Sequence, residues 1–397
     1  MTVFLNQMGV ACALGIGAEA VRAALWRSDG PAGGELTERY TPGECLHLGT
    51  APLAADAAAA LPADTPVAQR TRNNAMLLAA LEPLRAAVDA AVARHGPARV
   101  AVVLGTSTSG IAEGERAVAA RAASGTWPAG YVYGQQELGS PAHFLARLTG
   151  ARGPAYVLST ACSSSAKAMA AAARLLACGA ADAVLCGGVD TLCGFTIAGF
   201  RALESVSPQR CLPLSANRAG IHLGEGAALF LMTREAGPVR LAGWGESADA
   251  YHISAPEPGG QGARTAMAQA LARAGIDARA VDYVNLHGTA TPQNDAMELP
   301  AVAALLGSDV PVSSTKPLTG HALGAAGAIE AALLWLTLVD NPQGRLPPHW
   351  WDGVADPALP PQPLVAPGDA LGRAPRYLMS NSFAFGGSNG VLLLDQG

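Results

Sequence analysis

Short apolar runs alternate with alanine-rich helical stretches along the chain, and this alternation constrains the fold more than any other feature. In the first half, the runs at residues 100–104, 155–158 and 183–185 have the length of buried strands. Residues 166–176, between the last two runs, have the composition of a helix that ends near Gly179. Repeated strand–helix units predict an α/β protein with a largely parallel sheet covered by helices.

The second half repeats this pattern, with strand-like runs at residues 239–243 and 283–286 and helical stretches at residues 263–274 and 327–339. No long low-complexity linker separates the halves. We therefore expect two tightly packed units, residues 1–235 and 236–397, each with a sheet of its own.

Composition excludes several classes of protein. Of the 397 residues, 50% are hydrophobic and only 14% are charged, which fits a large buried core and argues against disorder. The net charge of -5 gives no general attraction to nucleic acid or to an anionic membrane. No apolar run approaches the roughly 18 residues of a membrane span, and the N-terminus lacks the pattern of a signal peptide.

The chain has an odd number of cysteines, seven, and no two of them are spaced as C-x-x-C. This pattern fits the reducing cytoplasm better than a disulfide framework. The chain has no zinc signature, no P-loop and no complete dinucleotide-binding fingerprint. We therefore expect a cytoplasmic protein without a bound metal or nucleotide.

Cys162 is the strongest candidate nucleophile. Residues 159–165 form a hydroxyl-rich turn between an apolar run and a helical stretch, which predicts a thiol at the first turn of a helix. Free N–H groups and the helix dipole there can lower a cysteine pKa from about 8.5 to about 3.5–7.5. The alternative is a small buried hydrophobe, which is our interpretation of the other six cysteines. These are Cys12, Cys45, Cys178, Cys186, Cys193 and Cys211.

Two histidines lie in turns from which a side chain can reach a cleft. His287 falls in residues 285–292 and His321 in residues 313–327, both rich in glycine and threonine. The other histidines have no such context, and we interpret them as structural. They are His47, His95, His143, His222, His252 and His349.

Together with residues 380–390, these segments resemble the elongating, Cys-His-His type of β-ketoacyl-acyl-carrier-protein synthase. The likeness extends over nearly the whole chain. It implies a thiolase-like fold, in which duplicated βα halves form a layered αβαβα architecture. It also implies an acyltransferase that condenses an acyl group with a malonyl thioester, releasing CO2 and a β-ketoacyl product.

The resemblance also implies residue roles. Cys162 would be acylated, His287 and His321 would hold the extender carbonyl, and Lys316 with Glu330 would support His321. Further roles go to the gate and oxyanion-hole residues Phe383, Ala384, Phe385 and Gly386, the phosphopantetheine-binding Thr289 and Thr291, and the acyl-pocket residue Ile111. For Ile111, an ordinary place in the core is an equal alternative.

The implied partners are an acidic acyl carrier protein, whose phosphopantetheine arm carries the substrates, and a second subunit. That subunit would be another copy of the chain or a chain-length factor. No further cofactor is implied. Candidate docking residues for the carrier are Arg201, Arg70 and Arg72, and ordinary solvated arginines are the alternative for the last two.

The chain departs from the commonest family pattern in two places. Ala384 separates two phenylalanines where glycine is usual, and residues 211–220 lack the usual acidic groups. Both departures indicate a specialised synthase, and the Phe-Ala-Phe sequence resembles enzymes of aryl-polyene and related pathways. Two alternatives are a non-catalytic partner similar to a chain-length factor and a thiolase, although a thiolase would need a second cysteine in the C-terminal glycine-rich loop.

Overall fold

A computed structural model describes residues 2–397. The strands are β1 (Phe4–Cys12), β2 (Gly15–Ile16), β3 (Glu35–Thr37), β4 (Leu46–Leu48), β5 (Val100–Gly105), β6 (Ala155–Leu158), β7 (Ala183–Asp190), β8 (Gly226–Thr233), β9 (Val239–Ala248), β10 (Tyr283–Asn285), β11 (Val312–Ser313), β12 (Tyr377–Ala384) and β13 (Ser388–Gln396). The α-helices are α1 (Ala18–Leu25), α2 (Arg72–Leu81), α3 (Arg85–His95), α4 (Ile111–Ser124), α5 (Ser140–Thr149), α6 (Ser164–Ala177), α7 (Gly194–Ala202), α8 (Gln261–Ala274), α9 (Pro292–Leu306), α10 (Lys316–Thr319) and α11 (Ala326–Leu338).

The main sheet contains the same five-strand pattern twice. Its order is β11-β10-β12-β13-β9-β1-β8-β7-β5-β6, with β2 pairing to β1. Strands β1-β8-β7-β5-β6 form one half, and β9-β13-β12-β10-β11 follow the same order in the other. A short antiparallel pairing of Phe4 with Arg240 and Leu5 with Val239 joins the halves. The chain passes between them in the segment from β8 to β9, and the boundary at residue 235 stays a prediction.

The sheet is mixed, so the expectation of two separate, largely parallel sheets is wrong. In the first half, β8 runs antiparallel to β1 and β7, while β5 runs parallel to β6 and β7. The second half repeats these directions. The turn between β12 and β13 consists of Phe385–Gly387, and a connection this short can join only antiparallel neighbours.

The helices lie in three layers around the two half-sheets, which confirms the αβαβα architecture. Helices α2, α3 and α5 cover the outer face of the first half, and α8 and α9 cover that of the second. Helices α6 and α11 fill the space between the halves. Every residue of α11 except Trp335 is buried, as expected for a helix that is almost entirely apolar, with Glu330 as its one charged residue. Within residues 2–397, no helix has both the length and the apolar character needed to cross a bilayer.

Candidate active site

Cys162 lies in a tight turn between β6 and α6. Ala161 has a positive φ of 52°, and the Thr160 N–H donates to Ser164 Oγ at 2.8 Å. Helix α6 begins at Ser164 with Ser163 as its N-cap, so Cys162 precedes the helix and is not part of its first turn. The side chain is buried, with 4% of its surface exposed.

His287 and His321 lie beside Cys162, as the sequence predicted. His321 Nε2 is 3.0 Å from Cys162 Sγ, and the two imidazole rings meet edge to face with centroids 5.3 Å apart. One donor atom from each of the three side chains lies within 4.8 Å of the others. The three groups can therefore contact one thioester.

The same three donor atoms are the one group among the described residues that is close enough to hold a metal ion. A tetrahedral zinc would set its sulfur and nitrogen ligands about 3.5 Å apart. The contact of 3.0 Å between Cys162 Sγ and His321 Nε2 is shorter and fits a direct hydrogen bond better.

Glu298 fixes the turn that carries His287. Its carboxylate accepts the N–H groups of His287 and Gly288 at 2.7 Å each, and the side-chain amides of Asn294 and Asn381 also donate to it. Burial raises the pKa of Glu298 to about 7, while these N–H donors oppose the rise. Glu298 was not among the residues predicted from the sequence, where its signal was an acid between the apolar residues Met297 and Leu299 of helix α9.

Lys316 supports His287 and not His321, which corrects the expected pairing. Its Nζ lies 2.5 Å from Glu330 Oε1 and 3.4 Å from His287 Nδ1, and all three side chains are buried. An ammonium group can only donate, so His287 Nδ1 is the acceptor in this contact. The neutral His287 ring therefore carries its proton on Nε2, which faces the cavity.

Both catalytic candidates among the histidines are neutral near pH 7. Burial lowers the pKa of His287 and His321 well below 6.5, and the Lys316 charge lowers both further. His321 is held through its backbone, because its N–H donates to the His222 carbonyl at 2.8 Å.

Burial raises the pKa of Cys162 to about 11. The Lys316 charge and the backbone N–H groups of Phe385 and Cys162 lower it, but they do not outweigh the loss of solvent. The expectation of a lowered thiol pKa is therefore wrong for the resting protein. The cause is the dry surroundings of a residue that precedes the helix.

Alkylation of Cys162 by iodoacetamide should consequently accelerate with pH. Only the thiolate reacts, so the rate should rise about tenfold for each pH unit between pH 7 and 10, without a plateau. Rates can be measured by mass spectrometry of the Cys162 peptide, with the exposed Cys178 as an internal control. A plateau already reached near pH 7 would contradict the raised pKa.

The predicted gate residues form a β-hairpin beside the nucleophile. Phe383, Ala384 and Phe385 line one cavity together with Cys162. The Phe385 ring lies 5.5 Å from that of Phe200, measured between centroids. Gly386 has a φ of 80°, a conformation that glycine adopts without strain.

Two threonines line the same cavity, whereas Ile111 does not. The hydroxyls of Thr289 and Thr291 are 2.8 Å apart and face a space that Gln293 and Ser205 also line. Ile111 begins α4 and is not part of the cavity wall. Its proposed place in the acyl pocket therefore has no support within this chain alone.

The three candidate docking arginines differ in their surroundings. Arg201 lies in the last turn of α7, close in sequence to the cavity residue Leu203, and pairs with Glu44. The Arg70 guanidinium donates to the backbone carbonyls of residues 62, 63 and 65. Arg72 is buried in an ion pair with Glu225 at 2.5 Å, so its assignment as a docking residue is wrong.

Comparison with known proteins places these features in a family. Residues 69–236 match the family model for the β-ketoacyl synthase N-terminal domain, and residues 239–349 match that for the C-terminal domain. The 3-oxoacyl-[acyl-carrier-protein] synthase 2 of Rhizobium meliloti (strain 1021) is 39% identical over 262 residues, which cover 61% of this chain and 61% of that protein.

Solved structures that cover the whole chain include the following two. A ketosynthase in complex with its chain length factor from Xenorhabdus doucetiae is 42% identical, with a TM-score of 0.90 over 98% of that chain. A β-ketoacyl synthase from Burkholderia phymatum STM815 is 28% identical, with a TM-score of 0.86 over 99% of that chain.

Proposed function

The chain belongs to the β-ketoacyl synthase family, and on this premise we propose that it condenses an acyl group with malonyl-acyl-carrier protein, giving β-ketoacyl-carrier and CO2. The main support is the contact between Cys162 Sγ and His321 Nε2 at 3.0 Å, with His287 next to both. The intact trio also argues against a non-catalytic partner subunit. Phe385 stands where a thiolase would need its second cysteine.

In the first half-reaction, Cys162 sulfur attacks the acyl thioester carbonyl of the carrier. Cys162 and Phe385 both line the cavity, and their backbone N–H groups would stabilise the tetrahedral oxyanion. The new carbon–sulfur bond replaces the bond to the carrier's sulfur. The thiol proton of Cys162 ends on the departing phosphopantetheine thiol.

In the second half-reaction, the malonyl thioester carbonyl binds between the histidines. His287 donates a hydrogen bond to this carbonyl from its Nε2–H group. His321, in its Nε2–H tautomer, donates a second hydrogen bond from its own Nε2. The bond to the carboxylate breaks, CO2 leaves, and the electron pair remains as an enolate on the thioester. The enolate carbon attacks the acyl carbonyl and forms the new carbon–carbon bond. The bond between the acyl carbon and Cys162 sulfur breaks, and the released thiolate takes a proton from water to restore the thiol.

The reaction can be tested by incubating the protein with an acyl-carrier thioester, followed by malonyl-carrier. We expect an acyl adduct on the peptide containing Cys162, and then CO2 and a 3-oxoacyl-carrier product. The protein should also be tested with several carriers and with candidate second subunits. If Cys162 forms no acyl adduct under any of these conditions, the chain is better explained as a partner subunit without catalytic activity.

Replacing His287 or His321 with alanine should separate the two half-reactions. Loss of one oxyanion donor typically costs about 10²–10³-fold in rate, and we expect this loss in decarboxylation. Acylation of Cys162 should change by less than about tenfold, since its oxyanion rests on backbone donors. His143→Ala, at an exposed position, is the control. Equal loss of both steps would contradict the assignment.

The proposed partners are an acyl carrier protein and a second subunit. Strand β6 is a sheet edge whose four residues are all half-buried, which fits pairing with another subunit. The Xenorhabdus relative pairs with a chain length factor, and we propose a heterodimer of this kind ahead of a homodimer. Native mass spectrometry of the chain, alone and co-expressed with such a subunit, distinguishes the two.

The proposal also covers pathway and location. The Phe-Ala-Phe hairpin and the 42% identical ketosynthase support a specialised polyene or polyketide pathway. Substrates arrive on the phosphopantetheine arm, which Thr289 and Thr291 would hold, and Arg201, ahead of Arg70, is the candidate for docking the carrier near the cavity. The free state of all seven cysteines is compatible with a cytoplasmic protein.

A further inference from the structure

The chain contains only two lysines: Lys316 contacts His287 of the candidate active site, and Lys167 contacts the hairpin that borders it. Of its 26 basic side chains, all but Lys167 and Lys316 are arginines. Lys316 touches His287, whereas Lys167 has no part in the chemistry proposed above. An ammonium is a compact charge with three donors, and the planar arginine fork is not its equivalent. The use of lysine at position 167 therefore calls for a local reason.

Lys167 contacts the base of the hairpin that carries Phe385. Its Nζ donates to Ser388 Oγ at 2.6 Å, and the Ser388 and Ser163 hydroxyl oxygens are 3.1 Å apart, within hydrogen-bond distance. Ser163, the N-cap of α6, and Lys167 are four residues apart, so they lie on one face of the helix. Across residues 2–397, Lys167 forms no ion pair with a carboxylate.

Ser388 connects this helix face to the hairpin tip, which we define as Phe385–Gly387. It follows Gly387 directly and pairs with Ala384 across the hairpin. Strand β13 packs closely on α6 here, because a Cβ at Gly390 would lie 3.3 Å from Ala166 Cβ and 3.7 Å from Lys167 Cγ.

The same helix face is continuous with the nucleophile turn. Ser163 is fully buried, follows Cys162 and donates to the Thr160 carbonyl at 2.9 Å. Phe385, at the other end of the hairpin tip, lines the same cavity as Cys162. The position of Phe385 relative to the sulfur thus depends on how Ser388 is held.

We propose that Lys167 is a positioning residue, which fixes the hairpin tip against the Cys162 turn through Ser388 and Ser163. The ammonium holds Phe385 beside the sulfur and keeps the tip closed over it. This inference rests on the proposed function only in naming Cys162 as the nucleophile. Its structural part, the closure of the tip, can be measured on a protein without substrate.

The test uses Lys167→Met, which keeps the side-chain stem and removes the charge, together with Ser388→Ala and the double variant. A hydrogen bond to a charged group contributes enough for about a tenfold effect. We expect each single variant to speed alkylation of Cys162 by a bulky maleimide about tenfold and to slow its acylation about tenfold. Because both changes remove one contact, the double variant should differ little from either single variant.

Arg174→Met, farther along the same helix, is the control and should leave both rates unchanged. Lys167→Arg keeps the positive charge, but its planar guanidinium cannot occupy the place of the ammonium. Neither rate in this variant should therefore equal the wild-type rate. Unchanged maleimide rates in both single variants, or effects that add in the double variant, would overturn the proposal. If the wild-type protein never accepts an acyl group, the proposed function fails, but the maleimide result still decides on the closure of the tip.

Discussion

Cys162→Ala is expected to abolish acyl loading completely while leaving malonyl decarboxylation within about tenfold of the wild-type rate. Acylation needs the sulfur as nucleophile, and no other cysteine is close to the two histidines. Decarboxylation needs the donors of His287 and His321, which do not depend on the sulfur. The alanine removes one small buried atom, so the fold should persist.

Intact-protein mass spectrometry measures the adduct, and release of labelled CO2 measures decarboxylation. Cys178→Ala removes an exposed thiol and should leave both readouts unchanged. Retention of an acyl adduct in Cys162→Ala would place the nucleophile elsewhere. Loss of decarboxylation together with loading, in a folded protein, would show that the sulfur itself takes part in holding the extender.

The proximity of Cys162, His287 and His321 could be predicted because each residue lies in a recognisable local sequence pattern. Cys162 follows the half-buried strand β6 and His287 follows the buried strand β10, and turns rich in small residues mark the ends of those strands. The central helices were predicted to within one or two residues, since their alanine and leucine content leaves little alternative. Features set by contacts close in sequence are the ones that a single sequence specifies well.

Features that depend on distant contacts were not predictable in the same way. The raised pKa of Cys162 results from burial by segments throughout the chain. Whether Lys316 reaches His287 or His321 is decided by how two separate turns pack. Arg72 looked like a surface residue until its partner, Glu225, 153 positions away, was placed beside it. The prediction of largely parallel strands was wrong for the same reason, because strand direction depends on which strands become neighbours in the sheet.

Breaking the Lys316–Glu330 pair should have the largest effect on stability. Both side chains are at least 97% buried, and Nζ and Oε1 are 2.5 Å apart. Removing one partner of such a pair leaves an uncompensated charge in the interior, which typically costs about 3–5 kcal/mol. Glu330→Ala should therefore lower the free energy of unfolding by about this amount, as measured by urea denaturation.

The double variant Lys316→Met/Glu330→Leu separates the pair's structural role from its chemical one. Apolar groups of similar volume commonly replace a buried ion pair without loss of stability, so most of the lost free energy should return. Condensation should not return, because His287 Nδ1 would lose its only charged donor and the ring could turn its proton away from the cavity. A stable and fully active double variant would show that the ion pair has only a structural role. An unchanged free energy of unfolding in Glu330→Ala would show that the Lys316 charge is already solvated.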